Sequence, residues 1–326
     1  MEMKQSATKK PRLLLTIGDP NGIGPEIILK IFNDRTFISK KDLTVVGSKK
    51  ILDHYASLLN LKTIPKERIL EIPLPSKFKI NPGKIIKNAG KLSGDAVKSA
   101  IDLCLRKEFD GMITLPISKE SFNLSGYNYP GHTEMLSNLT SSGDTIMILF
   151  SEEFSVALVT GHIPISKVSK VLNEKLLIKK IITANNSLVS NFGIKNPKIA
   201  LLSLNPHAGD GGLIGKEEQD KIIPVIEYMN SIGFNLRGPY ASDGFFANKS
   251  YKKFDITIAM YHDQGLIPFK MISFDKGVNF TAGLKIIRTS PDHGTAFDIA
   301  GMGIANTEST KQAVLLAEKL FLNLRS

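Results

Sequence analysis

Residues 13–26 read Leu13-Leu14-Leu15-Thr16-Ile17-Gly18-Asp19-Pro20-Asn21-Gly22-Ile23-Gly24-Pro25-Glu26. The short apolar run at the front lacks the alternation of a half-exposed strand, so it predicts a strand buried on both faces. The glycine-rich turn that follows opens into a helix from about Pro25, with Ile27, Ile28, Ile31 and Phe32 on one side. Strand, tight turn and helix make the first half of an α/β unit. The turn is not the dinucleotide fingerprint, because its glycine spacing is wrong and Pro25 intrudes. It is not a Walker A loop either, since it lacks the Lys-Ser/Thr ending.

The same alternation continues outward. Leu43 to Val46 predicts a strand, Ser48 to Leu59 a helix, and Met112 to Thr114 a strand. Between them, residues 62–92 are rich in Pro, Lys and Gly and read as irregular, and Ser93 is placed to cap a helix carrying Val97, Ala100, Ile101 and Cys104. Thr145 to Phe150 and Ser155 to Val159 read as adjacent strands joined by Ser151-Glu152-Glu153. Lys175 to Ser190 and Glu217 to Asn230 read as helices, Lys198 to Leu204 and Ile256 to Met260 as strands, and Thr307 caps a last helix. This pattern predicts a mostly parallel sheet with helices on both faces. With no repeat, heptad or long linker, the 326 residues predict two domains that share a cleft and exchange segments.

Composition narrows the class. Apolar residues make up 42% and charged residues 22%, which supports a substantial core. A single cysteine, Cys104, excludes an internal disulfide, a zinc ribbon or an iron–sulfur cluster, and its apolar helical neighbours predict a buried structural thiol. The polar start and the short run Leu13–Ile17 suit neither a signal peptide nor a membrane span, so a cytoplasmic chain without membrane contact is expected. The net charge of +11 comes from scattered lysines, without a nucleic-acid motif, and reads as a basic solvated surface or, more sharply, as a site that draws in an anionic substrate or cofactor.

Ligands of open α/β sheets sit beyond the carboxyl ends of the strands. Three of the six histidines lie there: His162 in Thr160-Gly161-His162, His207 in Asn205-Pro206-His207-Ala208-Gly209, and His262 in Tyr261-His262-Asp263-Gln264-Gly265. Three imidazoles with an open position suit a catalytic divalent cation, and Asp210, Asp243 and Asp263 are near enough in sequence to orient them. Pro130-Gly131-His132-Thr133-Glu134 leads into another helix whose start suits an anion. Lys270, Asn279 and Arg288 fall in loop-like stretches; together with the charge they point to a phosphorylated substrate.

These motifs resemble the 4-hydroxythreonine-4-phosphate dehydrogenase family. The matching stretches are Gly18–Glu26, Pro130–Glu134, Thr160–Pro164, Leu204–Gly212, Tyr261–Lys270 and Gly283–Gly301, in the family's order and over nearly the whole chain. The resemblance implies an α/β fold of the isocitrate/isopropylmalate dehydrogenase type, with two α/β/α domains and a cleft. It places one domain at residues 1–130 plus 273–326 and the other, with the metal ligands and dimer interface, at 131–272. It implies His162, His207 and His262 as metal ligands drawn from both subunits of a homodimer. His132, Thr133, Lys270, Asn279 and Arg288 match the substrate positions. The first loop, with Asp19, Gly22 and Gly24, and the loop His293-Gly294-Thr295-Ala296 through Asp298 match the binding of NAD or NADP.

The activity implied is metal-dependent oxidative decarboxylation of 4-phosphohydroxythreonine to 3-amino-2-oxopropyl phosphate in vitamin B6 biosynthesis. Zinc is the expected cation, with cobalt, manganese or magnesium as alternatives, and Asp243 and Lys270 are the candidates for moving the hydroxyl proton. A paralogous enzyme of 4-phosphothreonate or 4-phosphoerythronate shares the motifs. Two departures, Leu115 before Pro116 and Ala241-Ser242 before Asp243, bear on loop packing and fine substrate preference.

Overall fold

The computed structural model describes residues 10–127, 129 and 132–325, leaving aside the side chains of His132 and Thr133. Most of the lysine-rich start and the Pro130-Gly131 pair lie outside these residues. The chain divides into two compact units, Met1–Thr140 with Ile286–Arg325, and Ser141–Lys285.

The first unit opens with strands β1 (Arg12–Thr16), β2 (Asp42–Gly47), β3 (Ile69–Glu71) and β4 (Gly111–Thr114). The second holds β5 (Ile146–Phe150), β6 (Ser155–Leu158), β7 (Lys198–Leu202), β8 (Asn235–Tyr240), β9 (Ile256–Ala259) and β10 (Val278–Ala282). The chain then returns to the first unit with β11 (Arg288–Pro291). In the first unit the order is β3-β2-β1-β4-β11, and every pairing is parallel. Strand β1 lies at the centre, with Leu13 opposite both Leu43 and Gly111. That position explains its unbroken apolar run, since Leu13, Leu14 and Leu15 are all buried. Each such side chain contributes about 2 kcal/mol of burial.

In the second unit the order is β10-β5-β6-β9-β7-β8. Strand β5 is antiparallel to both neighbours, because the turn from β5 to β6 is too short for a crossover. The other pairs are parallel. Phe154, Phe245, Tyr251 and Phe269 anchor the core beside this sheet.

Several expectations change. Residues 273–285 were expected with the first domain; β10 pairs with β5 and carries them into the second unit. The helix His132–Leu139 goes instead with the first unit. The stretch taken as irregular contains β3 and the start of the helix Lys87–Leu105, because Ala89 and Leu92 extend its apolar face backwards. Ser93 is therefore interior, its hydroxyl lying between the Gly18 and Ala89 carbonyl oxygens at 2.9 and 2.8 Å. The helix expected from Glu217 begins with a wider turn, Glu218–Ile222, before Ile223–Ser231. Thr307 does precede the last helix, Glu308–Asn323, but Asn306 accepts the Glu308 N–H. Cys104 is buried as expected, and burial pushes its thiol up to about 12. Among the described residues no helix is long and apolar enough to cross a membrane.

Candidate active site

The parallel pair β6 and β9 sets the geometry of two histidines. Past the last paired residues, Val159 donates its N–H to Ala259 and Thr160 donates to the Met260 carbonyl through both N–H and hydroxyl, at 3.2 and 2.7 Å. Both chains thus leave the sheet at the same level. His162 and His262 emerge side by side, with ring centroids 5.5 Å apart. They line a cavity of about 250 Å³ with Gly161, Ile163, Ile165, Val168, Tyr261 and Asp263. His262 Nδ1 lies 2.7 Å from Asp263 Oδ1. A carboxylate bonded to one ring nitrogen fixes the ring and leaves Nε2 as the ligand atom.

His207 follows β7 in an unusual backbone. His207, Ala208, Gly209, Asp210 and Gly211 all have positive φ, from 44° to 80°. A non-glycine residue held there costs about 1 kcal/mol or more, so surrounding contacts must hold the loop. The buried Glu218 carboxylate does so by accepting the N–H groups of Leu204 and Asn205 at 2.7 and 2.8 Å and the Asn205 side-chain amide at 2.9 Å. His207 itself is exposed. The three histidines were expected to meet on one cation. Among the described residues of one chain, His162 and His262 are brought together, and no three His, Cys, Asp or Glu form a metal cluster. Of the three aspartates expected to orient imidazoles, Asp263 touches one, while Asp210 and Asp243 are exposed.

The substrate candidates divide between the units. In the second, Lys270 is exposed in the last turn of the helix His262–Ser273. Asn279, on β10, keeps a buried Oδ1 without a hydrogen-bond donor. In the first, Arg288 is 2% exposed, and its Nε and Nη2 donate to Thr114 Oγ1 at 2.9 and 2.7 Å. Burial pushes its guanidinium down to about 10, so it stays charged at neutral pH. The side chains of His132 and Thr133 lie outside the described residues.

The expected cofactor loops touch one another. Ile23 donates its N–H to the Thr295 carbonyl at 3.0 Å. A Cβ on Gly22 would stand 2.8 Å from that oxygen, and one on Gly24 would stand 2.2 Å from the Ile17 carbonyl oxygen. Both glycines are required for close backbone approach. Asp19 is fully buried; one oxygen accepts the Asn21 N–H at 2.9 Å, and burial pushes the carboxyl up to about 6. Its side chain is therefore committed inside the fold. His293 is half-buried, with Nδ1 3.1 Å from the Gly294 carbonyl oxygen, Ala296 has φ 42°, and Gly294 and Asp298 are exposed. Sequence reasoning passed over Asn21, Thr114, Glu218 and Gln264, which act through hydrogen bonds between distant segments. Asn21 and Gln264 stood inside quoted motifs, but nothing local marked their roles.

The family model for pyridoxal phosphate biosynthetic protein PdxA matches residues 39–317. The chain belongs to this family. Among its PdxA relatives, the 4-hydroxythreonine-4-phosphate dehydrogenase of Bacteroides thetaiotaomicron is 40% identical, over 96% of this chain and 90% of that one. A relative from Oceanobacillus iheyensis, with the provisional name D-threonate 4-phosphate dehydrogenase, is 37% identical over 96% and 98%. The crystal structure of 4-hydroxythreonine-4-phosphate dehydrogenase from Klebsiella pneumoniae superimposes with a TM-score of 0.85 at 35% identity, over 97% of this chain and 99% of that one. The isocitrate dehydrogenase-like fold expected from sequence is thus the fold of this PdxA chain.

Proposed function

We propose that this PdxA chain is a 4-hydroxythreonine-4-phosphate dehydrogenase, a cytoplasmic oxidoreductase of pyridoxal phosphate biosynthesis working as a homodimer. It oxidises 4-phosphohydroxythreonine with NAD or NADP and a divalent cation. The observation that carries the reading is the pairing of His162 with His262 over one cavity, in a chain that matches dehydrogenases along nearly its full length. The two imidazoles suit a borderline cation such as zinc better than magnesium. His207 is exposed outside this pair, so it is free to complete the ligand set of a second copy's site. A cation held there would supply Lewis acidity to the substrate's oxygen.

The chain's own residues then do the following. Arg288 is a buried cation suited to the phosphate, and Asn279 Oδ1 is an acceptor suited to the ammonium or a hydroxyl. Lys270 and Asp243, both exposed, are the candidates to take the hydroxyl proton; a bound nicotinamide would supply the hydride acceptor. The resulting β-keto acid loses carbon dioxide and leaves 3-amino-2-oxopropyl phosphate. The His293–Asp298 loop and the first loop, joined by the Ile23–Thr295 hydrogen bond, would hold the cofactor through backbone groups.

The test is cofactor reduction with 4-phosphohydroxythreonine, 4-phosphothreonate and 4-phosphoerythronate, with and without added zinc. A preference for either sugar acid moves the chain to the paralogous activity. Equal rates with unphosphorylated hydroxythreonine remove the phosphate assignment, and full activity after complete metal removal removes the cation.

A further inference from the structure

We propose that Gln264 is a positioning residue for the candidate metal site, an inference that rests on the histidine reading above. The buried side chain makes three hydrogen bonds to three separate segments. Its Oε1 accepts the Met260 N–H at 2.7 Å. Its Nε2 donates to the Ser203 carbonyl at 2.5 Å and to Ser242 Oγ at 2.9 Å. Met260 stands two residues before His262, Ser203 four before His207, and Ser242 next to Asp243.

The position matters because β7 and β9 stop pairing at Leu201 and Ile258, before either loop begins. Beyond that point the Gln264 amide acts as an extra rung, offering an acceptor to one chain end and a donor to the other as a peptide unit would. Met260 is held on its other side as well, since its carbonyl receives Thr160. A register is therefore set across the ends of β6, β9 and β7, and through Ser242 to the start of the helix Ser242–Ala247. Part of this link is shared, since Ser203 donates its N–H to the Tyr240 carbonyl at 2.8 Å, but the tie to Met260 is not duplicated by Glu218, which grips Leu204 and Asn205 and reaches neither Met260 nor Ser242 by any hydrogen bond described. Glutamine is the suitable residue here. Methionine has similar length without the bonds, and an ionised glutamate cannot donate to the Ser203 carbonyl.

The test is equilibrium binding of zinc and of cobalt to the full chain carrying Gln264→Met, at a temperature where circular dichroism shows it folded. Loss of a partner that orients metal ligands weakens binding roughly 10- to 100-fold, and that loss is expected here. A purely structural role lowers the melting temperature and leaves metal affinity at the wild-type value; that result overturns the proposal. Should Gln264→Met not fold, Gln264→Asn keeps an amide but withdraws it by one methylene. It must show the same direction of loss, and wild-type affinity in it is equally fatal. His262→Ala is measured alongside. If it keeps its metal, the histidine site itself is wrong and the proposal goes with it. If His262→Ala loses metal while Gln264→Met binds normally, only the positioning role is overturned.

Discussion

The loop after β1 and the loops after β6, β7 and β9 are all strand exits rich in polar residues, yet they use those residues in opposite ways. In the first, Asp19, Asn21 and Glu26 have no exposed surface and are turned inward. Asn21 donates to the Lys84 carbonyl and accepts the Asn81 N–H, both at 2.9 Å. Glu26 accepts the N–H groups of Gly303 and Ala305 and pairs with Lys30. In the second unit, His162, His207, Asp243 and Asp263 are exposed, and the buried residues Glu218 and Gln264 stand behind them. A polar residue near a strand end is thus ambiguous: it either presents chemistry or holds the loop that presents it.

The comparison breaks most visibly at the paired histidines. His262→Ala should lose the bound cation and cut turnover by about 100-fold or more, the scale of removing one stabilising contact from a transition state. Metal content and initial rates check this together.

Asp19 tests the inward side. Its carboxyl is raised from the ordinary 3.8 to about 6, so the folded state holds the proton more tightly than the unfolded chain does. Stability from this group is complete below about pH 4 and is lost as pH rises through about 6. Asp19→Asn keeps an acceptor for the Asn21 N–H without the charge. It should gain up to about 3 kcal/mol relative to wild type at pH 8, and nothing at pH 4, in urea unfolding. A variant less stable than wild type at pH 8 would show that the buried charge has a compensating partner.

Arg288 is a buried residue of the first unit that stays charged at neutral pH, and it is the residue proposed for the phosphate. Arg288→Ala should raise KM for the phosphorylated substrate about 10- to 100-fold and change kcat less, because phosphate contacts persist from ground to transition state. A loss confined to kcat would place Arg288 at the reacting centre instead. The smallest effect is expected at Ala208, whose φ of 54° strains the His207 loop. Ala208→Gly should raise stability by a few tenths to about 1 kcal/mol and leave metal affinity unchanged.

Much of the fold was legible because β4 and β9 are fully buried, β1 is buried from Leu13 onward, and all three carry apolar runs. β3 and β11 were not, since β3 is only three residues long and β11, Arg-Thr-Ser-Pro, is buried without an apolar run. The histidines could be found from their place after strands, but not their grouping: His162 and His262 meet because β6 neighbours β9, a fact of pairing that no local spacing encodes. Asp19 is a related case. Its motif marks a crowded turn, and only the packing shows that the carboxyl faces inward.

Asn21 and Gly22 form the dipeptide most prone to spontaneous deamidation, in which the glycine nitrogen attacks the asparagine carboxamide. Here that nitrogen is occupied, since Gly22 donates its N–H to the Asp19 carbonyl at 3.0 Å, and the Asn21 side chain is held at both ends. Chemical ageing at this bond therefore runs only while the loop is open. The isoaspartate that accumulates in a stored sample becomes a clock for that opening, and any ligand that closes the loop will slow it.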